Sequence, residues 1–213
     1  MSKSGNLFAM IVFAAGVALQ TIAAEPAALA IRPVQTAVEW KCSLENARKV
    51  FDSVAAEMVC FFPDRTFPVI EVSPRGGPIV LFDRGPNGEI RVKLDIEDTI
   101  WNQMAFQFAH ELGHILCDYK SHENPSKWFE ESICELASLF ALRRLGETWK
   151  TQPPYSNWKD YAPHMTDYAG KRIKESQLPE GSTLKQWYKE NAEALVAGKG
   201  GDRTRQTIIA AAL

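Results

Sequence analysis

The sequence contains one motif that is typical of metal chemistry. His110-Glu111-Leu112-Gly113-His114 has the pattern HExxH, in a stretch whose apolar residues have helical spacing. Residues four apart on a helix project from one face, so the two imidazoles can reach the same ion. Neutral imidazole is a common zinc ligand. Between the histidines, Glu111 can accept a proton from a water molecule on the ion without binding the ion itself.

Chance does not account well for this motif. A chain of this length is expected to contain on the order of 0.01 such matches at ordinary residue frequencies. Gly113 also makes the helix about 1 kcal/mol less stable than alanine would, which indicates a close approach at that point. We therefore predict one Zn²⁺ ion per chain.

A third ligand must come from elsewhere, because a catalytic zinc ion normally takes three from the protein. The metzincin pattern places a third histidine six residues after the second, and it is excluded because Lys120 stands there. His122 lies in a polar loop, where an exposed histidine is ordinary. Candidates for the third ligand therefore remain on the next predicted helix.

That helix carries Glu130, Glu131 and Glu135. Acidic residues are ordinary in the first turn of a helix, which explains Glu130 and Glu131 but not Glu135. Glu131 and Glu135 lie one turn apart on one face and repel each other unless a positive group lies opposite, and a zinc ion is a good candidate. Glu130 is about 100° away from Glu131 around the helix, so we expect it to face solvent or the loop.

In these two helices the sequence resembles the gluzincins, which are zinc peptidases of the thermolysin and aminopeptidase-N type. Gluzincins carry HExxH on one helix and a glutamate ligand on the next. Residues 128–132 (WFEES) fit the register of that second helix, with Ser132 where a glycine is usual. The resemblance covers His110 to about Arg143 and the preceding strand, and it implies a zincin-like fold.

The resemblance also implies roles for individual residues. Zinc would be held by His110, His114 and Glu131, and Glu135 would support a ligand histidine, most simply His110. Glu111 would act as the general base while a water molecule attacks the carbonyl of a peptide or protein substrate.

The gluzincin mechanism also uses a tyrosine or histidine to stabilise the oxyanion. We favour His164 and Tyr168, because they lie well after the ligand helix. The full set of candidates is Tyr119, His122, Tyr155, Tyr161, His164 and Tyr168.

Periodicity and turn signals predict the elements that position these residues. Helices are predicted at 44–59, from 98 or 99 to about 117, from 126 to 146, at 166–175 and at 183–195. Strands are predicted at 67–72, 78–82 and 89–94, with a hairpin turn at Asn87-Gly88. Residues 147–163 are expected to be irregular.

This order of elements predicts an α+β protein in which a small antiparallel sheet packs on the active-site helix and a helical subdomain follows. We expect one zincin-like domain over residues 31–197 and a flexible tail over 198–213 that holds at most a short, weakly held helix. Gluzincins align an extended substrate with a strand edge before the active helix, which would be strand 89–94. The alternative for that strand is a plain edge protected by Arg91 and Lys93.

The N-terminus is typical of a signal peptide at residues 1–24. Lys3 is followed by an uncharged apolar run at 7–19 and then by small residues. We expect cleavage after Ala24, or otherwise after Ala30, and a periplasmic or secreted protein. The alternative is a retained membrane anchor, because the apolar segment approaches the roughly 20 residues of a spanning helix.

Export would expose the cysteines to an oxidising compartment. A helix at 44–59 would hold Cys42 and Cys60 about 24 Å apart, which is too far for a disulfide. A bridge would therefore have to reach Cys117 or Cys134, and free thiols are the alternative. The last two cysteines lie near the motif, on helices that we expect to diverge from the metal.

Composition narrows the class of protein. The chain has 213 residues, 46% of them hydrophobic, and a formal net charge of -2. These values exclude disorder as the main state and give no reason to expect a nucleic acid as partner.

The leading hypothesis is an exported zinc peptidase. The alternative is a catalytically inactive zinc-binding protein of the same fold that acts as a binding module, and the intact Glu111 argues against it. A purely structural zinc site is less favoured, because such sites are closed by four protein ligands and often contain cysteine.

Overall fold

The computed structural model describes residues 29–96, 99–120, 124–198 and 200–213. The strands in these ranges are β1 (Ile31–Pro33), β2 (Ile70–Pro74), β3 (Ile79–Leu81) and β4 (Ile90–Leu94). The α-helices are α1 (Leu44–Val59), α2 (Trp101–Leu116), α3 (Lys127–Thr151), α4 (Ala162–Glu175), α5 (Leu184–Ala197) and α6 (Arg203–Ala212). A 3-10 helix spans Ser156–Tyr161. The predicted α+β class is confirmed.

The sheet is mixed, so the prediction of an antiparallel sheet is wrong. Its strand order is β1-β2-β4-β3, and only the β3–β4 pair is antiparallel. β1 and β4 both run parallel to β2. Alternating apolar residues determine which face of a strand is buried, but they carry no information about the direction of its neighbours. β1 was not predicted, because three residues ending in a proline carry almost no pattern.

The expected position of strand 89–94 is also wrong. β4 is paired on both sides, with β2 and with β3, so it is an inner strand. The exposed edge next to the hairpin belongs to β3. Arg91 and Lys93 alternate with the buried Ile90, Val92 and Leu94 because one face of the sheet is polar, not because the strand lies at an edge.

Helix α2 runs through the centre of the core. Every residue from Met104 to Ile115 is buried, including both motif histidines. α1 packs on one part of it, where the rings of Phe51 and Phe108 have centroids 4.7 Å apart. The helix begins after Ile100 without a side-chain cap, so the predicted Thr99 cap is not formed. Asp98, the other predicted cap, lies outside the described residues.

Helix α3 continues past its predicted end at Gly146 and reaches Thr151. Gly146 lies where α3 crosses α4, and a Cβ there would be 2.1 Å from Oγ1 of Thr166. The glycine therefore marks a helix crossing rather than a helix end. The segment predicted to be irregular is largely helical, and α4 begins at Ala162 rather than at 166.

The final helix is better packed than the sequence suggested. Gln206, Thr207, Ile209 and Ala210 of α6 are buried, and α6 packs against α3. Within the described residues, none of the helices has the length and apolar character needed to cross a bilayer. The predicted signal peptide at 1–24 lies outside the described residues and stays a prediction.

Candidate metal centre

Helices α2 and α3 touch at the glycine of the motif. A Cβ on Gly113 would lie 3.1 Å from Sγ and 3.2 Å from Cα of Cys134. These distances are tighter than ordinary van der Waals contact, so a larger side chain would separate the helices. The close approach that the sequence predicted at Gly113 is confirmed, and it brings the start of α3 against the motif.

Three predicted ligand atoms converge at this contact. Nε2 of His110 lies 3.2 Å from Oε2 of Glu131, and Nε2 of His114 lies 3.5 Å from the same oxygen. Ligand atoms of the three residues all lie within 4.8 Å of one another. Both histidines are buried, and the Glu131 side chain is 12% exposed.

This cluster could hold a metal ion, and its donors and spacing are compatible with zinc. Zinc ligands at 2.0–2.1 Å in tetrahedral positions are separated by about 3.3 to 3.4 Å, close to the two distances measured. Two imidazole nitrogens and one carboxylate oxygen are donors that zinc accepts, and a fourth position is left for water or substrate. The residues present could therefore hold the ion that the sequence predicts.

Glu130 does not face solvent or the loop, contrary to our expectation. Its Oε1 lies 2.7 Å from Nδ1 of His114 and 3.0 Å from Nζ of Lys127. An imidazole has two nitrogens on different sides of its ring. Neighbouring glutamates about 100° apart on α3 can therefore contact the same histidine from two sides.

Glu135 lies beside His110, the histidine that it was expected to hydrogen-bond, but that hydrogen bond is not formed. Its Oε2 is 3.6 Å from Nδ1 of His110, slightly beyond hydrogen-bond distance, and neither atom has another hydrogen-bond partner among the described residues. The other oxygen, Oε1, accepts hydrogen bonds from Arg172 at 2.6 Å and from Thr207 at 3.1 Å. α4 and α6 thus position the carboxylate that faces the back of His110.

The pKa values of Glu131 and Glu111 are shifted in opposite directions by their surroundings. Burial acts to raise the pKa of the Glu131 carboxyl, but hydrogen bonds from His110 and His114 outweigh it and lower that pKa. Glu111 has no such compensation, and burial raises its pKa above the ordinary value despite the adjacent His110. Glu131 is therefore suited to remain an anion, whereas Glu111 is suited to gain and lose a proton.

A cavity of about 300 Å³ opens onto the cluster. Its apolar side is formed by β3 and its flanks, and its polar side by residues from α2, α3 and α6. The lining residues are Pro78, Ile79, Val80, Phe82, His110, Glu111, His114, Tyr119, Lys127, Glu131 and Arg203.

Tyr119 is the candidate oxyanion donor that the structure brings to this cavity. Its hydroxyl donates to the backbone oxygen of Val80, and its ring stacks on Phe82 with centroids 4.4 Å apart. Burial raises the pKa of the Tyr119 hydroxyl to about 12, so the group stays protonated.

The two favoured candidates lie elsewhere. The ring of His164 packs against Tyr161 at 5.0 Å, and Tyr168 meets the ring of Phe106 at 5.6 Å. Neither lines the cavity. Among the other candidates, the hydroxyl of Tyr155 donates a hydrogen bond to Glu45, and the hydroxyl of Tyr161 donates one to Asn102. His122 lies outside the described residues.

Sequence reasoning missed the contribution of the C-terminal segment. Gly200 has φ +87°, and a Cβ on it would lie 2.8 Å from Cγ of Lys127 and 3.2 Å from Cγ of Glu131. The chain therefore passes directly over the start of α3 before α6 begins at Arg203. The glycines at 200 and 201 suggested flexibility, and no local pattern of residues indicates this long-range contact.

The pair Cys117 and Cys134 was also placed wrongly. We expected these residues on diverging helices, but the Cys134 thiol lies close enough to Cys117 to lower the pKa of the Cys117 thiol to about 7 by hydrogen bonding. Cys117 is exposed and Cys134 is buried, and no disulfide joins the four cysteines, all of which lie in the described residues. The contact follows from the same approach of α2 and α3 that is seen at Gly113.

Comparison with known proteins gives no relative: no protein-family model matches the chain, and neither a curated protein nor a solved structure shows significant similarity to it. The likeness to gluzincins therefore rests on the motif residues and their spacing.

Proposed function

We propose that this chain is a zinc-dependent peptidase of gluzincin type that hydrolyses peptide bonds in a peptide or protein substrate. One observation carries the proposal. Two imidazole nitrogens and a carboxylate oxygen converge at zinc-ligand spacing in the wall of a cavity that also contains the buried carboxyl of Glu111.

Zinc held by His110, His114 and Glu131 would polarise a substrate carbonyl and lower the pKa of a bound water to about 7. Glu111 lies next to His110 in sequence and lines the same cavity, so its carboxylate can take the proton of that water and pass it to the leaving amine. Its burial supports this role, because a raised pKa brings the carboxyl closer to neutral pH.

The edge of β3 supports binding of an extended peptide. β3 is paired with β4 on one side only, and Ile79 and Phe82 are 43% and 53% exposed beside the cavity. A peptide placed along this edge could form backbone hydrogen bonds and bury these apolar side chains. Tyr119 donates its hydroxyl hydrogen to the backbone oxygen of Val80, and it would have to release that acceptor to donate a hydrogen bond to the developing oxyanion.

The decisive experiment compares Glu111→Gln with the parent chain. Zinc content is measured in both, and cleavage of a peptide library is measured with and without a chelator. The proposal predicts equal zinc and a decrease in turnover of at least about 10²- to 10⁴-fold. Glu147→Gln, an exposed position on α3, is the control for charge and should cleave normally.

Two results would contradict the proposal: a chain that takes up no zinc, or a Glu111→Gln variant that cleaves at the parent rate. A zinc-loaded chain with no cleavage of any peptide would instead favour the inactive binding module.

We also propose export, on the basis of residues 1–24. N-terminal sequencing of the protein from its native host tests this, since a start at residue 25 or 31 is expected and a retained Met1 contradicts it.

A further inference from the structure

We propose that Arg203 binds a carboxylate of the substrate, so that the site acts on peptide bonds next to a free C-terminus. The inference rests on the proposed function and assigns it a substrate class. It makes Arg203 a residue that determines specificity and predicts the release of one or two C-terminal residues.

The Arg203 side chain has unused hydrogen-bonding capacity at the cavity. It lines the same cavity as His110 and Glu111. Its guanidinium makes no hydrogen bond or ion pair with any residue in the parts of the chain that the structure describes. Guanidinium groups recognise carboxylates through two parallel hydrogen bonds. An unpaired arginine beside the three candidate metal ligands is therefore suited to an anionic ligand.

The position of Arg203 is fixed by the local structure. It is the first residue of α6, and Asp202 caps that helix by accepting from the Arg205 backbone at 3.2 Å. The preceding Gly200 packs over Lys127 and Glu131, as described above. The turn from Gly200 to Asp202 therefore holds the backbone of Arg203 next to α3, although the Arg203 side chain is exposed.

The charges of the cavity wall favour an anion. Lys127 and Arg203 are the cations among its described lining residues, and Glu111 and Glu131 are the anions. These four charges cancel, so a divalent ion at the ligand cluster leaves the wall positive. Lys127 is already engaged, at 3.0 Å from Glu130 and 3.4 Å from Glu131. Arg203 is the cation that remains available to a ligand.

The size of the cavity favours the end of a chain. About 300 Å³ is at the lower limit of ligand pockets and accommodates one or two residues rather than a long segment. The α-carboxylate of a last residue is separated from the preceding peptide nitrogen by a single Cα. The carbonyl of the peptide bond before a C-terminal residue can thus lie at the metal while the carboxylate of that residue lies at Arg203. Its side chain would then lie against Ile79 and Phe82.

An acidic side chain is the other possible source of a carboxylate, and three matched peptides separate the two sources. The first is an N-blocked tripeptide with a free C-terminus, the second is its C-terminal amide, and the third is an amide with glutamate as its last residue. Binding is measured by calorimetry to the Glu111→Gln chain, with and without zinc, so that cleavage does not interfere.

We expect the free acid to bind about tenfold more tightly than the amide, as is ordinary for a charge-assisted pair at a partly solvated site. Arg203→Gln should remove this preference, and Arg203→Lys should retain part of it because only the forked geometry is lost. Arg143→Gln is the control, because it removes an exposed arginine that lines a different cavity.

Equal binding of acid and amide, no binding of either, or an unchanged preference in Arg203→Gln would overturn the proposal. Binding of the glutamate amide as tight as that of the free acid would overturn the specificity for a C-terminus. Zinc uptake and hydrolysis by the parent chain are measured separately. Their failure contradicts the proposed function, whereas the ratio of acid to amide binding tests Arg203.

Discussion

His114 is held between two consecutive glutamates of one helix: Nδ1 of its ring lies 2.7 Å from Glu130, and Nε2 lies 3.5 Å from Glu131. A carboxylate on Nδ1 fixes the tautomer in which Nε2 carries the lone pair, and it makes that nitrogen a stronger ligand. The arrangement gives neighbouring residues different tasks. Glu131 would face a bound ion, and Glu130 would orient the histidine that shares it.

Glu130→Ala should therefore lower zinc affinity by about 10- to 100-fold, the usual effect of removing a group that orients a ligand histidine. Competition with a chromophoric chelator measures this. Glu147→Ala is the control, because Glu147 is 64% exposed on the same helix and pairs with Lys150. Unchanged affinity in Glu130→Ala would show that the hydrogen bond to His114 does not act on the metal.

Glu131→Ala should have a larger effect and abolish tight zinc binding, because two imidazoles alone are too few ligands. His110→Ala and His114→Ala should do the same, and a chelator should remove the metal from the parent chain. Elemental analysis after dialysis is the measurement. Stoichiometric zinc in the Glu131→Ala chain would mean that another carboxylate is the third ligand.

Arg172→Met should lower the free energy of unfolding by about 3 kcal/mol, because it leaves the buried carboxylate of Glu135 without its cation. Adding Glu135→Gln should recover part of the loss, since no buried charge then remains. Urea unfolding measures both. Lys171→Met is the control, as its side chain is 71% exposed and its ion pair with Glu175 is 3.9 Å long. An Arg172→Met chain as stable as the control would contradict the prediction.

Gly113→Val should destabilise the chain by about 2 kcal/mol or more and weaken zinc binding, because the added methyl groups overlap with Cys134. Gly170→Ala is a matched change, since Gly170 also lies within a helix but its added Cβ meets no atom within 4 Å. That change should stabilise by about 0.5 to 1 kcal/mol through helix propensity. Thermal unfolding distinguishes the two, and equal effects would mean that the helices are not in close contact at Gly113.

Alkylation of Cys117 should increase as pH rises through about 7, because the thiolate is the reactive form and its pKa is lowered by Cys134. Cys134→Ala removes the donor, so the midpoint should move up towards the ordinary value of about 8.5. Mass spectrometry after brief treatment with iodoacetamide at a series of pH values locates the modified residue. A midpoint that is the same in both chains would exclude the hydrogen bond as the cause.

Sequence spacing could predict the inner part of the site but not its surroundings. His110, His114 and Glu131 depend on local helix geometry, in which residues four apart share a face, and the structure brings their ligand atoms together. Glu130 was placed wrongly because an imidazole ring has a second nitrogen, and Nδ1 of His114 contacts Glu130 outside the ligand cluster.

Residues that join the site from distant parts of the chain gave no local signal. Arg172, Thr207 and Arg203 reach it because α4 and α6 pack against α3, and that packing depends on the whole core. The prediction of an antiparallel sheet was wrong for a similar reason. β-forming residues predicted a strand at 67–72, which overlaps β2 in part, and apolar alternation predicted the strand at 89–94, which matches β4 closely. The parallel pairing of β2 with β4 depends on contacts 20 residues apart in sequence.

The contact between Gly113 and Cys134 also constrains how this chain can diverge during evolution. Within HExxH the two middle positions are usually free, but here the second of them shares its space with a residue on another helix. Relatives should therefore show correlated exchange at these two positions, with alanine at 113 only where 134 is alanine or glycine. Such covariation would identify the same pairing of helices in sequences too distant to align by overall identity.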